Sequence, residues 1–174
     1  MEKQFTLSVF TENVLGMQTR LAVILTRRRI KIESVTCCEC EVDGVCRYTI
    51  VINASEEQAI KVAQQIEKQV GVFKAFAHLN DEIVFREIAL YKLPVEKLNG
   101  KLELILRNHN ASVVALEPAF AIVEKTGHEE ELTRLLSELQ NFGVLEFARS
   151  GRVAISKPMK PLINYLNEKQ IFIN

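Results

Sequence analysis

Apolar and polar positions alternate over residues 4–11, which predicts a strand, and over residues 15–28 the pattern changes to helical spacing, with Met17, Leu21, Ile24 and Leu25 on one face. Alternation returns over residues 32–42 and 45–53, on either side of Asp43-Gly44, a dipeptide suited to a two-residue hairpin turn. Asn53-Ala54-Ser55-Glu56-Glu57 then offers a cap followed by carboxylates, Ile60, Ala63, Ile66 and Val70 make a stripe, and Gly71 ends that helix. Residues 72–80 read as a fourth strand.

The same order follows again. Residues 83–93 alternate as a strand, Pro94 opens a helix that runs to about Asn108, residues 111–117 and 120–126 form a hairpin, and an acidic-headed helix covers 129–141 and stops near Gly143. Residues 144–147 and 152–155 supply the closing strand region, and 157–174, with its Leu162-Ile163-Tyr165-Leu166 patch, reads as a tail. The expected class is α+β: two ferredoxin-like βαββαβ domains at 1–80 and 81–156, each a four-stranded antiparallel sheet with both helices on one face. The halves share architecture and not residue identity. In the first half the other sheet face would carry Thr36, Cys38, Thr49 and Val51 and need a partner, which together with its edge strands favours a dimer.

At 174 residues and 48% hydrophobic content, the chain buries roughly two-thirds of the surface its unfolded form exposes. Lys plus Arg equals Asp plus Glu at 22 each, which argues against binding nucleic acid or an anionic membrane through bulk charge. Proteins or small molecules are the expected partners. No run approaches ~18 apolar residues and Met1-Glu2-Lys3-Gln4 lacks a basic flank followed by an apolar block, so the expected address is cytoplasmic.

Candidate chemistry concentrates at Ser8-Val9-Phe10-Thr11-Glu12-Asn13-Val14-Leu15-Gly16-Met17, where a strand turns into a helix past a glycine. The first turn of such a helix presents unpaired N–H groups and the positive end of the dipole, enough to hold a small carboxylate. An ordinary loop with a helix-starting Asn is the other reading. Cys37, Cys38, Cys40 and Cys46 are crowded, but a two-residue turn would pair positions whose numbers sum to 87, placing Cys37 and Cys46 on one face and Cys38 and Cys40 on the other. They read as free thiols, not as a metal site. His78, His109 and His128 are scattered and read as solvated or capping residues. No phosphate loop, dinucleotide fingerprint or nucleophile elbow is present, so no catalytic residue is assigned. Arg27-Arg28-Arg29 suits a helix's last turn, and the strand beginning at Cys46-Arg47-Tyr48 lacks the aromatic pattern of RNA-reading domains.

Five segments together resemble a known family: Ser8-Val9-x-x-Glu12-Asn13-x-x-Gly16, Arg27-Arg28-x-x-x-Ile32-Glu33-Ser34, Arg47-x-Thr49-Ile50, Arg86-Glu87-x-Ala89-Leu90 and Arg149-x-Gly151-Arg152-Val153-Ala154. In order and spacing they are similar to the regulatory small subunit of acetolactate synthase (acetohydroxyacid synthase). The resemblance implies an N-terminal ACT domain, a second ferredoxin-like domain and no active site or cofactor in the chain. It implies a homodimer that binds and activates a catalytic large subunit carrying thiamine diphosphate, magnesium and FAD. It also implies feedback by a branched-chain amino acid, usually valine, in valine, leucine and isoleucine synthesis. The effector would lie between two ACT domains, with Asn13 and Gly16 as ligands and Val14, Leu15 and Met17 as the adjoining turn. Where the family has Gly-aromatic-Asn, this chain has Arg29-Ile30-Lys31. Lys31 and the adjacent Ile32 therefore join the expected effector contacts. Lysine can meet a carboxylate but cannot accept a hydrogen bond from the effector's ammonium group, which implies altered valine feedback. A free-standing ACT-type sensor of another enzyme is the alternative function.

Overall fold

The computed structural model describes residues 2–157 and 161–168, which divide into two compact units. One runs to Val84 and includes the chain from Arg152 onward; the other is Phe85–Gly151. The boundaries expected at 80 and 156 are therefore set beside a first unit that the chain leaves and rejoins.

In the first unit β1 (Lys3–Glu12), α1 (Met17–Arg27), β2 (Ile32–Glu39), β3 (Val45–Ala54), α2 (Glu56–Glu67) and β4 (Val72–His78) follow the expected βαββαβ order. The strands form an antiparallel sheet in the order β2-β3-β1-β4. Leu7, Val9, Ile50 and Ile52 on one sheet face pack with Met17, Leu21 and Leu25 of α1 and Val62 and Ile66 of α2. The α1 stripe is the one its spacing predicts. In α2 the buried side is Ala59, Val62, Ala63 and Ile66, while Ile60 and Val70 are exposed. The Ser55–Gln58 capping box starts this helix: Gln58 N–H donates to Ser55 Oγ at 3.3 Å and Ser55 N–H donates to Gln58 Oε1 at 3.0 Å.

The opposite sheet face, expected to be open, is covered over Thr49 and Val51, while Thr36 is half-buried and Cys38 exposed. The covering elements are β9 (Val153–Ser156) and α5 (Leu162–Glu168), the latter lying in the stretch expected to be a tail. Residues 158–160 and 169–174 of that stretch lie outside the described residues. Leu162 and Leu166 close over Phe10, Val45 and Phe73, and Thr6, Ser8, Thr49 and Val51 are buried. Within the patch expected as part of a tail, Leu162 and Leu166 are each about 1% exposed on the buried side of a short helix, Tyr165 is half-buried and Ile163 is exposed. Leu166→Ala is expected to lower unfolding free energy by about 2–4 kcal/mol, read as a shift in the urea midpoint.

The hairpin register also differs. Cys38 lies opposite Arg47 and Glu39 opposite Cys46, so paired numbers sum to 85. A turn does form at Asp43-Gly44, with Val45 N–H donating to Val42 O at 3.1 Å, but Cys40 N–H donates to Val45 O at 3.0 Å and Glu41 and Val42 are left out of the ladder. Val42 packs beside the cluster of Phe10, Val45 and Phe73. The displacement is two residues, an even number, so the faces expected for the cysteines survive.

The second unit repeats the order with β5 (Ile83–Pro94), α3 (Gly100–Asn108), β6 (Ser112–Leu116), β7 (Phe120–Gly127), α4 (Glu129–Leu139) and β8 (Glu146–Arg149). Its sheet order is β6-β7-β5-β8. Ala89, Tyr91, Leu93 and Val123 pack against Leu102, Leu106, Leu132, Leu135 and Leu139. Helix α3 starts at Gly100 and not at Pro94: Asn99 Oδ1 accepts from Lys101 N–H and Leu102 N–H at 3.0 and 3.1 Å, while Pro94 ends the strand. The closing strand region is β8 (Glu146–Arg149) together with β9 (Val153–Ser156), which also pairs with β5, as expected, although residues from Arg152 are counted with the first unit. No helix among the described residues is long and apolar enough to cross a membrane.

Candidate effector site

Three loops meet at one end of the first unit. Asn13 N–H donates to Gly44 O at 3.1 Å, tying the β1–α1 elbow to the β2–β3 hairpin, and Glu12 N–H donates to Gly71 O at 2.8 Å, tying it to the α2–β4 turn. Asn13 Nδ2 donates to Glu39 Oε1 at 2.9 Å. Gly71 has φ +81, and a Cβ there would stand 3.0 Å from Met17 Cε and 3.4 Å from Glu12 Oε2, so a larger residue would push the elbow away. Neither Glu39 nor Gly71 is marked by the motif; register and packing bring them to it.

Gly16 is the N-cap of α1, with φ 79 and ψ 0. No side chain caps this helix and no acidic residue lies in its first turn. The other helices of this length are neutralised at the same place: Ser55 with Glu56 and Glu57 at α2, Asn99 with Glu103 at α3, and Glu131 with Glu129 and Glu130 at α4. An unneutralised helix start beside an exposed loop can accept a carboxylate. A groove of about 510 Å³ begins at Gly16 and follows α1 along Thr19, Arg20, Val23, Ile24 and Arg27. Arg20 closes its near end, donating from Nη1 to Val70 O at 3.0 Å.

The expected contact residues are not all in one place. Asn13, Val14, Leu15 and Gly16 are exposed on the elbow. Met17 is buried, with its side chain in the core. Lys31 is exposed and Ile32 half-buried at the start of β2, where Ile32 lies opposite Ile52 and, through it, near Phe5 at the far end of β1. Helix α1 separates Gly16 from this point by 11 residues, about 16 Å.

The four thiols back the elbow without converging: Cys37 and Cys46 share the helix-packed face, Cys38 and Cys40 the other. Burial and the neighbouring Cys37 push the Cys46 thiol up, and burial with a Cys37 hydrogen bond takes the Tyr48 hydroxyl up to about 12. The histidines have packing roles. His78 stacks on Phe76, His109 Nε2 meets Glu138 Oε1 at 2.9 Å, and His128 packs edge-on to Phe85 with Arg86 Nη1 2.8 Å from its Nε2.

The remaining motif segments hold structure together. Buried Glu87 lies 3.5 Å from Arg149 Nε, and Arg149 Nη1 reaches Glu129 Oε1 at 2.7 Å within the second unit. Arg152, almost fully buried, donates from Nη1 to Thr6 Oγ1 at 2.8 Å and Asn80 Oδ1 at 2.9 Å, and from Nη2 to Gln4 Oε1 at 2.8 Å.

Comparisons with known proteins cover both units. Residues 7–74 match the family described as AHAS small subunit-like ACT domain, and residues 86–158 match the family described as small subunit of acetolactate synthase. The acetolactate synthase small subunit of Mycobacterium bovis is 32% identical over 158 residues, covering 89% of this chain and 93% of that one. That of Bacillus subtilis is 31% identical over 160 residues, covering 90% and 91%. In fold the chain is similar to the crystal structure of the Thermotoga maritima small subunit, with a TM-score of 0.82 and 24% identity over 91% of this chain and 99% of that one. With both units matched in order and about 90% of the chain aligned to such relatives, this chain belongs to the family of acetolactate synthase small subunits.

Proposed function

We propose that this regulatory subunit binds a branched-chain amino acid between two copies of itself, with Asn13–Met17 of one chain and the partner's Lys31 and Ile32 forming the site. The uncapped, acid-free start of α1 carries this reading. It supplies N–H donors for the effector's carboxylate. Because Gly16 and Lys31 stand at opposite ends of α1, one chain cannot close a small ligand between them. β2 is an edge strand, next to β3 on one side only, and its outer half is exposed. Antiparallel pairing of β2 with its copy would bring the partner's Ile32 toward Glu39, and Glu39 holds Asn13. Val14, Leu15 and Val23 are exposed apolar residues around the elbow, which such a pairing would cover.

In this reading the chain works in the cytoplasm and is not itself an enzyme. It binds the catalytic large subunit, raises its activity and makes it respond to valine or a related amino acid. Condensation of 2-oxo acids, with thiamine diphosphate, magnesium and FAD, belongs to the large subunit.

Two measurements test the site. The purified chain is expected to sediment as a dimer or larger at micromolar concentration, with association tightened by the effector; a monomer with and without amino acids overturns the shared site. Lys31→Asn, which restores an acceptor for the effector's ammonium group, is expected to strengthen valine binding by on the order of 1.4 kcal/mol, about tenfold. Holoenzyme activity against valine concentration reads it, and identical curves for both forms place position 31 outside the site.

A further inference from the structure

The thiols of the β2–β3 hairpin stand directly behind the elbow. Cys37 lies opposite Tyr48 and Cys46 opposite Glu39, which makes Cys37 and Cys46 diagonal neighbours on the helix-packed face. Cys37 is close enough to raise the Cys46 thiol and the Tyr48 hydroxyl beyond what burial does. Cys37 is exposed and Cys46 buried, so an oxidant from solvent meets the first and not the second. Cys38 and Cys40 project from the other face.

We propose that Cys37 and Cys46 form a redox-modification site, closed to a disulfide by a peroxide and reopened by thiol reductants, which loosens the hairpin's hold on Asn13. The Cys37 thiolate attacks one peroxide oxygen, breaking the O–O bond and leaving a sulfenic acid; with hydrogen peroxide the other oxygen departs as water after taking a proton. Cys46 then attacks the Cys37 sulfur, its proton leaves with the sulfenic oxygen as a second water, and the S–S bond forms. Two thiols are oxidised and one peroxide is reduced. Such a bond in a reducing compartment is transient and serves sensing.

Geometry supplies the coupling. Diagonal Cα atoms across an antiparallel pair are about 7–8 Å apart, and a relaxed disulfide prefers about 5.5–6 Å. Closure therefore shears the two strands past one another by roughly 1–2 Å between the rungs that carry Cys37 and Glu39. Glu39 and the hairpin's Gly44 are the two groups that hold Asn13. The strain also keeps the bond easily reduced. The effect on ligand binding rests on the effector site proposed above; the cross-link itself does not.

The full-length chain is treated with hydrogen peroxide, free thiols are alkylated, and the chain is cleaved after Glu33, Glu39 and Glu41 before mass measurement. The expected product joins the peptide carrying Cys37 to the one carrying Cys46, disappears on reduction, and persists when Cys38 and Cys40 are both alanine. In Cys46→Ala, dimedone traps Cys37 as the sulfenic acid. A Cys38–Cys40 bond with Cys46 still alkylated overturns the proposal. Calorimetry with valine should show at least tenfold weaker binding to the oxidised form of the Cys38→Ala, Cys40→Ala chain, and equal affinity overturns the coupling. A reduced chain that binds no branched-chain amino acid would sink the effector reading instead, leaving the mass result to decide the cross-link.

Discussion

Gly16→Asp is expected to remove the effector response of the holoenzyme, with at least thirtyfold weaker amino-acid binding, about 2 kcal/mol. Open space surrounds the position, since a Cβ there meets nothing within 4 Å, so the substitution costs only the left-handed backbone conformation at φ +79. That cost is about 1–2 kcal/mol for a non-glycine residue and is smaller for Asp, which tolerates the region better than most. An aspartate carboxylate at the N-cap can accept from the first-turn N–H groups and neutralise the helix start. The effector's own carboxylate then finds its donors occupied and a like charge beside them. Gly16→Ala carries at least as much backbone strain without an acceptor and should keep most of the affinity. Calorimetry on the three proteins separates strain from charge. If aspartate binds valine as glycine does, the carboxylate is held elsewhere.

Arg152→Ala should lower the unfolding free energy of the first unit by about 3 kcal/mol, since a hydrogen bond to a charged group contributes about 1.5–3 kcal/mol and the losses do not add fully. The guanidinium serves Thr6, Gln4 and Asn80 together, and its removal leaves the fully buried Thr6 hydroxyl without that donor. Two anchors of the same segment go to its backbone and remain in the variant: Thr36 Oγ1 donates to Arg152 O at 2.8 Å and Arg47 donates to Ala154 O. Arg152→Lys keeps the charge but not the fork, and should recover only part of the loss. Urea unfolding followed in the first unit reads both variants, and a change under 1 kcal/mol for alanine would show that the clasp contributes little.

The two predictions differ in what made them possible. Gly16 was legible in the chain, because a strand period passing through a glycine into helical spacing forces an elbow wherever it occurs. Both βαββαβ units were legible for the same reason: each strand and helix is a local pattern, and topology follows from their order. Arg152 was visible only as one residue of a familiar segment. Its contact with Thr6 spans 146 residues, and no local pattern encodes which face a returning chain will cover. That same return corrects the reading of the first sheet's outer face, where residues such as Thr49 and Val51 looked open and are buried.

Local signals likewise placed the hairpin turn but not its register. Asp43-Gly44 marks a turn by backbone chemistry, yet whether Glu41 and Val42 stay in the ladder depends on Val42 finding Phe10 and Phe73 across the sheet. The faces of the cysteines were predictable because side chains alternate with period two and the slip is even; their partners were not. What the amino-acid order determines alone is therefore the order of strands and helices in the two βαββαβ units and the elbow at Gly16, but not the helix α5 in the stretch read as a tail. Which distant residues meet at that elbow, Glu39 and Gly71 among them, and what closes the back of the sheet were decided by tertiary packing, since those contacts join segments that carry no mutual signal along the chain.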